Sequence, residues 1–186
     1  GAQLTDARIL GANLTSACLR RADLTRASFK LAHAAEPGAD FRDAKIRRGG
    51  LDHTGFPGSD FSGADLAEAN LSGANLAGAN LRGTSLHGAR LEATDFRSAV
   101  LEHADLTHAI LHRSQLTGAR MGDASFGRTV IAACPTLSEA VGLEMTSHVA
   151  PSSIDLGTLS QILGRLPPEF IDGLGIAQAL LQMRIR

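Results

Sequence analysis

A word of five residues governs most of this chain. Residues 69–83 read ANLSGANLAGANLRG, the same word three times over. A strand repeats every two residues and a helix every 3.6, so a period of five fits neither. A fixed short period instead marks a solenoid, in which each unit is stable only through the units stacked on it.

Each word is numbered from its large apolar residue, the centre. Centres fall every five residues from Leu4 to Phe29 and again from Phe41 to Ile131, which makes 25 words. The centre is Leu fifteen times, Phe six times, Ile three times and Met once, at Met121. Two residues earlier stands a small residue, Ala in 18 words and Gly, Ser or Thr in the other seven. The residue between them is often Asp or Asn, as at Asp65, Asn70 and Asn75, and the two after the centre vary freely. Two positions in five are therefore constrained by size and polarity and face an interior, while three face water. One word then makes one side of a coil, and stacked coils pair their backbones at roughly 4.8 Å. A Leu at the small position would overpack that interior, at about 1–3 kcal/mol.

Words such as ADLAE, ANLSG, ANLAG and ANLRG closely resemble those of the pentapeptide-repeat family, over residues 2 to 132. The resemblance implies an all-β solenoid, a right-handed quadrilateral β-helix of about six coils, four words to each. The number of sides comes from the family alone. Phe41 and Phe61 suit a turn of 20 residues, but Phe41 and Phe56 suit one of 15 equally well.

The chain divides into a β-helix over residues 1–132, broken at 31–40, and a small α-helical C-terminal cap or linker over 133–186. In the break, LAHAAEPGAD, Phe29 and Phe41 stand two words plus two residues apart, and Pro37 and Gly38 suit a small corner loop. GGLDH and TGFPG put Gly49 and Thr54 at the small position, where slight distortion is expected. In the tail, Thr136 and Glu139 form a capping-box pattern that starts a short helix. Asp155 suits an N-cap with Gly164 as the stop, and Pro168 a first helical residue with Gly173 past the end. IAQALLQMRIR, with Ile176, Leu180, Leu181 and Met183, is spaced as an amphipathic helix. The tail also serves an open solenoid end, which needs covering to stay soluble.

Chemistry is hard to find. His103, His108 and His112 are close in sequence but fall on successive sides pointing outward, and His87 meets His108 across coils as two ligands only. GLGIAQ from residue 173 lacks the third glycine and the strand of a phosphate loop. Cys18 and Cys134 match no metal spacing and read as reduced thiols. The sequence therefore assigns no catalytic, cofactor-binding or metal residue, and implies no cofactor and no enzyme activity.

Lys plus Arg number 18 and Asp plus Glu 19, a balance that argues against a general binder of nucleic acid or membrane surfaces. Arg20, Arg21, Arg26, Arg42, Arg47 and Arg48 make a candidate basic patch, set against a solvated charged face. No apolar run spans a membrane.

PSSIDLGTL followed by RLPPEFIDGLGI is similar to a segment that follows pentapeptide repeats in bacterial multidomain proteins bearing a Toll/interleukin-1 receptor-like domain. The matched positions are Ser153, Ile154, Asp155, Thr158, Leu159, Leu166, Pro167, Phe170, Gly173 and Gly175. The resemblances imply a cytoplasmic, non-catalytic scaffold for protein–protein interaction, part of a larger bacterial signalling or anti-phage defence protein. Its partner is unidentified, and self-association through the ends or a side is an option. The alternative is a DNA mimic that binds gyrase and protects it from quinolones, as some of the family do. That task needs strongly negative charge, which the mixed repeats lack.

Overall fold

The computed structural model describes residues 1–176. Each word ends in a tight turn, closed by the N–H of the next small residue donating to the carbonyl of the centre, as from Ala74 to Leu71 at 2.9 Å. The residue two after the centre takes left-handed backbone, with φ of 59° at Glu68 and 68° at Gly73. That conformation turns the corner between sides. An Asp or Asn before the centre steadies the same turn by accepting the N–H two residues on: Asn75 Oδ1 from Ala77 at 3.0 Å, Asp60 Oδ1 from Ser62 at 2.9 Å. This i to i+2 bond is the physical reason for the polar letter in ANL and ADL.

Four words close a coil. Gln3 pairs in parallel with Asp23, and Asn70 with Arg90, each 20 residues on. Side one begins with the word of Leu4, side two with Ile9, side three with Leu14 and side four with Leu19. Every side is a ladder of backbone hydrogen bonds, such as Leu76 N to Asp95 O at 2.8 Å. Six coils are complete, to Arg120 on side four. From Leu24 onward the centres are sealed from solvent, and the alanines between them are buried too. Hydroxyls at the small position bond carbonyls, either of the coil below, as from Thr84 Oγ1 to Phe61 O at 2.8 Å and Thr94 Oγ1 to Leu71 O at 2.9 Å, or of their own turn, as from Thr54 Oγ1 to Leu51 O at 2.7 Å. These buried hydroxyls are thereby satisfied. At Thr54 the turn bond to Leu51 lengthens to 3.3 Å, whereas Gly49 keeps 2.9 Å to Ile46 and both words hold their register.

The break is smaller than its sequence suggests. His33 pairs with Asn13 below and Gly55 above, so Ala32 and Ala34 continue the pattern with Ala34 as centre. Only the corner between sides three and four gains two residues, within 35–38. Ala35 N donates to Thr15 Oγ1 at 2.9 Å and Ala39 N to Ser59 Oγ at 2.9 Å, which ties that loop to the coils on either side. The short Ala34 makes room for phenylalanines. Phe29 and Phe41 flank it in the same coil, Phe56 follows it on side three, and the three rings meet at 5.2 to 6.4 Å.

The regular word stops at Ile131, but parallel pairing continues. Strands β1 (Ile110–His112), β3 (Val130–Ala132) and β5 (Ser153–Ile154) form one sheet on side two, and β2 (Ser125–Phe126) pairs with β4 (Ser147–His148) on side one. Short 3-10 turns over Pro135–Glu139 and Leu143–Met145 replace the tight corners. The expected capping box does not form. Thr136 Oγ1 instead accepts from Leu116 N at 3.0 Å, and Glu139 accepts the Thr117 hydroxyl at 2.8 Å, because both side chains complete the edge of the coil beneath.

Two helices then close over the end. Asp155 caps α1 (Leu156–Ile162) as expected, accepting from Thr158 N at 3.0 Å. The helix stops before Gly164, which lies in a 3-10 turn over Leu163–Arg165. Pro168 opens α2 (Pro168–Gly173), but Gly173 is its last residue, and Gly175 supplies the left-handed exit with φ 69°. Ile162, Leu166, Phe170 and Leu174 join the solenoid core. The amphipathic spacing from Ile176 onward falls almost wholly outside the described residues.

Candidate interaction surfaces

The filled interior leaves function to the outside. The corner residues of successive coils stack in columns, and most of their charges answer each other. Arg26 is held by Asp6 at 2.6 Å, Arg42 by Asp40 at 2.6 Å, Arg48 by Glu68 at 2.8 Å, and Arg21 by Asp43 at 3.6 Å. Arg20 also leans on Asp43, and Arg47 on Asp65 and Glu68. The basic patch read from the sequence is thus neutralised within the fold. The Arg42 guanidinium, aided by its backbone N–H, holds the Asp40 carboxyl down at about 2.

The histidines sit where their spacing placed them, on successive corners. His103 faces Asp123 at 3.8 Å and His112 faces Glu92 at 3.2 Å. His87 and His108 meet with ring centroids 4.9 Å apart, and His87 Nδ1 is engaged by Thr107 Oγ1 at 2.8 Å. Among the described residues no three metal-binding side chains converge. Cys18 is exposed, whereas Cys134 takes a buried small position, its thiol bonding Leu111 O at 3.3 Å. Burial pushes that thiol up from its ordinary value.

A groove of about 320 Å³ opens at the corner between sides four and one, between Arg82 and Met145. Its floor is an ion-pair chain in which Glu102 takes Arg82 on one oxygen and Arg120, at 2.6 Å, on the other. These groups are committed to one another. In the described part of GLGIAQ, residues 173–176, Gly173 lies against the His148 ring, so close that a Cβ there would clash with Cδ2. The matched tail positions are likewise occupied with packing or capping, as at Asp155, Thr158 and Phe170.

One feature escaped the sequence reading. The outward position before the centre is polar or glycine in most words but is Ile110 and Val130 in adjacent coils of side two, 42% and 39% exposed. Its signal is the departure of AIL, in THAILH, and TVI, in RTVIA, from ANL and ADL.

The model of pentapeptide repeats matches residues 1–30, 59–97 and 84–123 in eight copies, just over half of the chain. The chain belongs to the pentapeptide-repeat family. Its neighbours among solved structures are right-handed quadrilateral β-helices, and the present solenoid shares that architecture. A trypsin-treated variant of QnrB1, a plasmid-mediated fluoroquinolone resistance protein, aligns over 94% of this chain and 85% of its own, at 18% identity and TM-score 0.68. HetL, a pentapeptide repeat protein involved in heterocyst differentiation regulation in Nostoc sp. strain PCC 7120, aligns over 72% of this chain and 71% of its own, at 29% identity and TM-score 0.46. A pentapeptide repeat protein of the Arabidopsis thaliana thylakoid lumen aligns over 65% and 87%, at 19% identity and TM-score 0.48. No curated protein matches the chain. No helix among the described residues is long and apolar enough to cross a membrane.

Proposed function

We propose that this pentapeptide-repeat protein is a non-catalytic scaffold that binds protein partners on the sides of its prism, in the cytoplasm of a bacterium. The interior carries the reading. Centres such as Leu71, Leu76 and Leu91 are fully buried against small residues such as Ala74 and Ala89, which leaves recognition to the outward positions. The likeness of residues 153–175 to segments before Toll/interleukin-1 receptor-like domains supports a place in a larger signalling or anti-phage defence protein.

The test is affinity capture from the source organism, followed by calorimetric titration of the captured protein against variants with the outward residues of one side exchanged. The scaffold reading expects saturable binding lost with one side and kept with the others. Binding that survives exchange of all four sides, or no binding protein at all, contradicts it.

The fold shared with QnrB1 motivates a second reading, protection of DNA gyrase from quinolones. The mutual pairing of arginines and carboxylates weighs against it, since a DNA mimic needs unbalanced negative charge. Rescue of gyrase supercoiling in the presence of a quinolone, at stoichiometric protein, would put this reading first.

A further inference from the structure

We propose that side two, around Ile110 and Val130, docks a protein segment that carries carboxylates beside aliphatic side chains. The proposal rests on the scaffold reading and names the surface and the chemistry of its partner.

Three observations converge there. First, Ile110 and Val130 are neighbours in the β1–β3 ladder, and both point outward at a position that other coils of side two fill with Ser28 or Asn70. A polar residue there steadies its own turn, as Asn70 does for Ser72 N at 3.2 Å, so the aliphatic pair forgoes a local hydrogen bond. Second, three arginines surround the pair. Arg90 is the rung below Ile110, Arg113 stands on the next corner of the same coil, and Arg128 on the corner before Val130. All three are exposed, and among the described residues none has a carboxylate within ion-pair distance. That sets them apart from Arg26, Arg42, Arg48 and Arg82, which are all paired. Third, from Arg8 to Ser153 the outward column of side two holds no carboxylate, whereas side one carries Asp23, Asp65 and Asp105. Of the acids beside this column, Glu92 is engaged by His112 at 3.2 Å, and Asp155 by Ala133 N at 2.8 Å and Thr158 N at 3.0 Å.

An apolar centre ringed by unpaired arginines has the make-up of a protein interface: a dry middle, a charged rim, and arginine where binding energy concentrates. Carboxylates on the partner supply the missing counter-charges. The aliphatic middle favours a protein over nucleic acid, whose phosphates would gain nothing from it. A second copy of this chain would set like charges against each other.

The test is fluorescence anisotropy of the chain with three labelled probes: a peptide of alternating Glu-Glu and Leu-Leu pairs, its Lys-for-Glu counterpart, and a short DNA duplex. Sedimentation velocity is run on the same samples. The expected result is saturable binding of the glutamate–leucine peptide alone, weakened by added salt. Binding should fall at least about tenfold, or about 1.4 kcal/mol, in Ile110→Asp/Val130→Asp and in Arg90→Glu/Arg113→Glu. These outward positions accept polar residues in other coils, so the variants should melt with the parent, and Gln115→Asp on side three should bind like the parent. Failure of the peptide to bind, equal binding by the variants, preference for the lysine peptide or DNA, or self-association lost in Ile110→Asp/Val130→Asp would each overturn the proposal. Partner binding lost with a different side would overturn it and leave the scaffold reading standing.

Discussion

The ring of His148 lies flat over that of Phe126, centroids 5.5 Å apart and planes inclined by 18°, with Phe170 of α2 edge-on at 5.1 Å. His148 takes the centre position of side one above Phe126. Its Nδ1 is buried without a hydrogen-bond partner, and Nε2 reaches only Thr146 Oγ1 at 3.3 Å. Glu169 and Asp172 of α2 and Glu144 of the adjoining turn are exposed, and burial alone pushes the imidazole below its ordinary value of 6.5.

The sign follows from linkage. The unfolded chain takes up a proton at this residue before the folded one does, so stability falls as pH drops below about 6.5 and levels off below the lowered folded value. Urea denaturation at about pH 7.5 and about pH 5.5 should show that loss in the parent. In His148→Leu, which installs the usual centre residue, the loss should shrink. An equal pH dependence in both proteins would contradict this placement of His148.

Ala34 yields a prediction against the repeat's own statistics. Leu is the commonest centre, yet Ala34→Leu should destabilise by about 1–3 kcal/mol, because Phe29, Phe41 and Phe56 already occupy the space around it. Ala34→Leu combined with Phe56→Leu should recover much of the loss. Denaturation of the two singles and the double gives the coupling directly.

Ala93 turns its corner with φ 52°, a left-handed conformation unfavourable to any residue with a Cβ. Ala93→Gly should therefore raise stability by about 0.5–1 kcal/mol, the opposite of the usual effect of introducing glycine. Thermal melts at matched concentration check it.

Asn75 is exposed, and its amide oxygen holds Ala77 N at 3.0 Å. Asn75→Ala should cost about 0.5–1.5 kcal/mol, while Asn75→Asp, which keeps the acceptor, should stay within about 0.5 kcal/mol of the parent. Equal losses in both would separate the polar letter of the repeat from its turn.

Much of this architecture was legible because one rule, small then polar then large, recurs at a fixed interval. The rule identifies which residues point inward, and Leu71, Ala74 and Leu76 are buried accordingly. It does not fix how many words make a coil. That depends on which residues stack: Phe41 and Phe61 lie parallel at 4.5 Å with planes 5° apart, while Phe41 and Phe56 meet edge-on across adjoining sides. Local motifs in the tail were read with less success. Thr136 and Glu139 match a capping box, but the coil edge beneath them offered Leu116 N and the Thr117 hydroxyl, and tertiary partners won over the local ones. The spacing of His103, His108 and His112 puts them outward on successive sides, and the structure sets them at successive corners of the coil. The Ile110–Val130 surface is harder to see, because the position before the centre is often but not always Asp or Asn, and it is the unpaired arginines stacked around the aliphatic pair that set it apart from its surroundings.

The central claim is that two side chains in each five build a solid core and the other three only decorate it. Equilibrium urea denaturation of Ala74→Leu beside Gln115→Leu tests this most directly. Ala74 is buried and Gln115 exposed, and both substitutions introduce the same side chain. The account predicts a loss of about 1–3 kcal/mol for Ala74→Leu and a change within about 0.5 kcal/mol for Gln115→Leu. Equal effects, or a larger loss at Gln115, would contradict it.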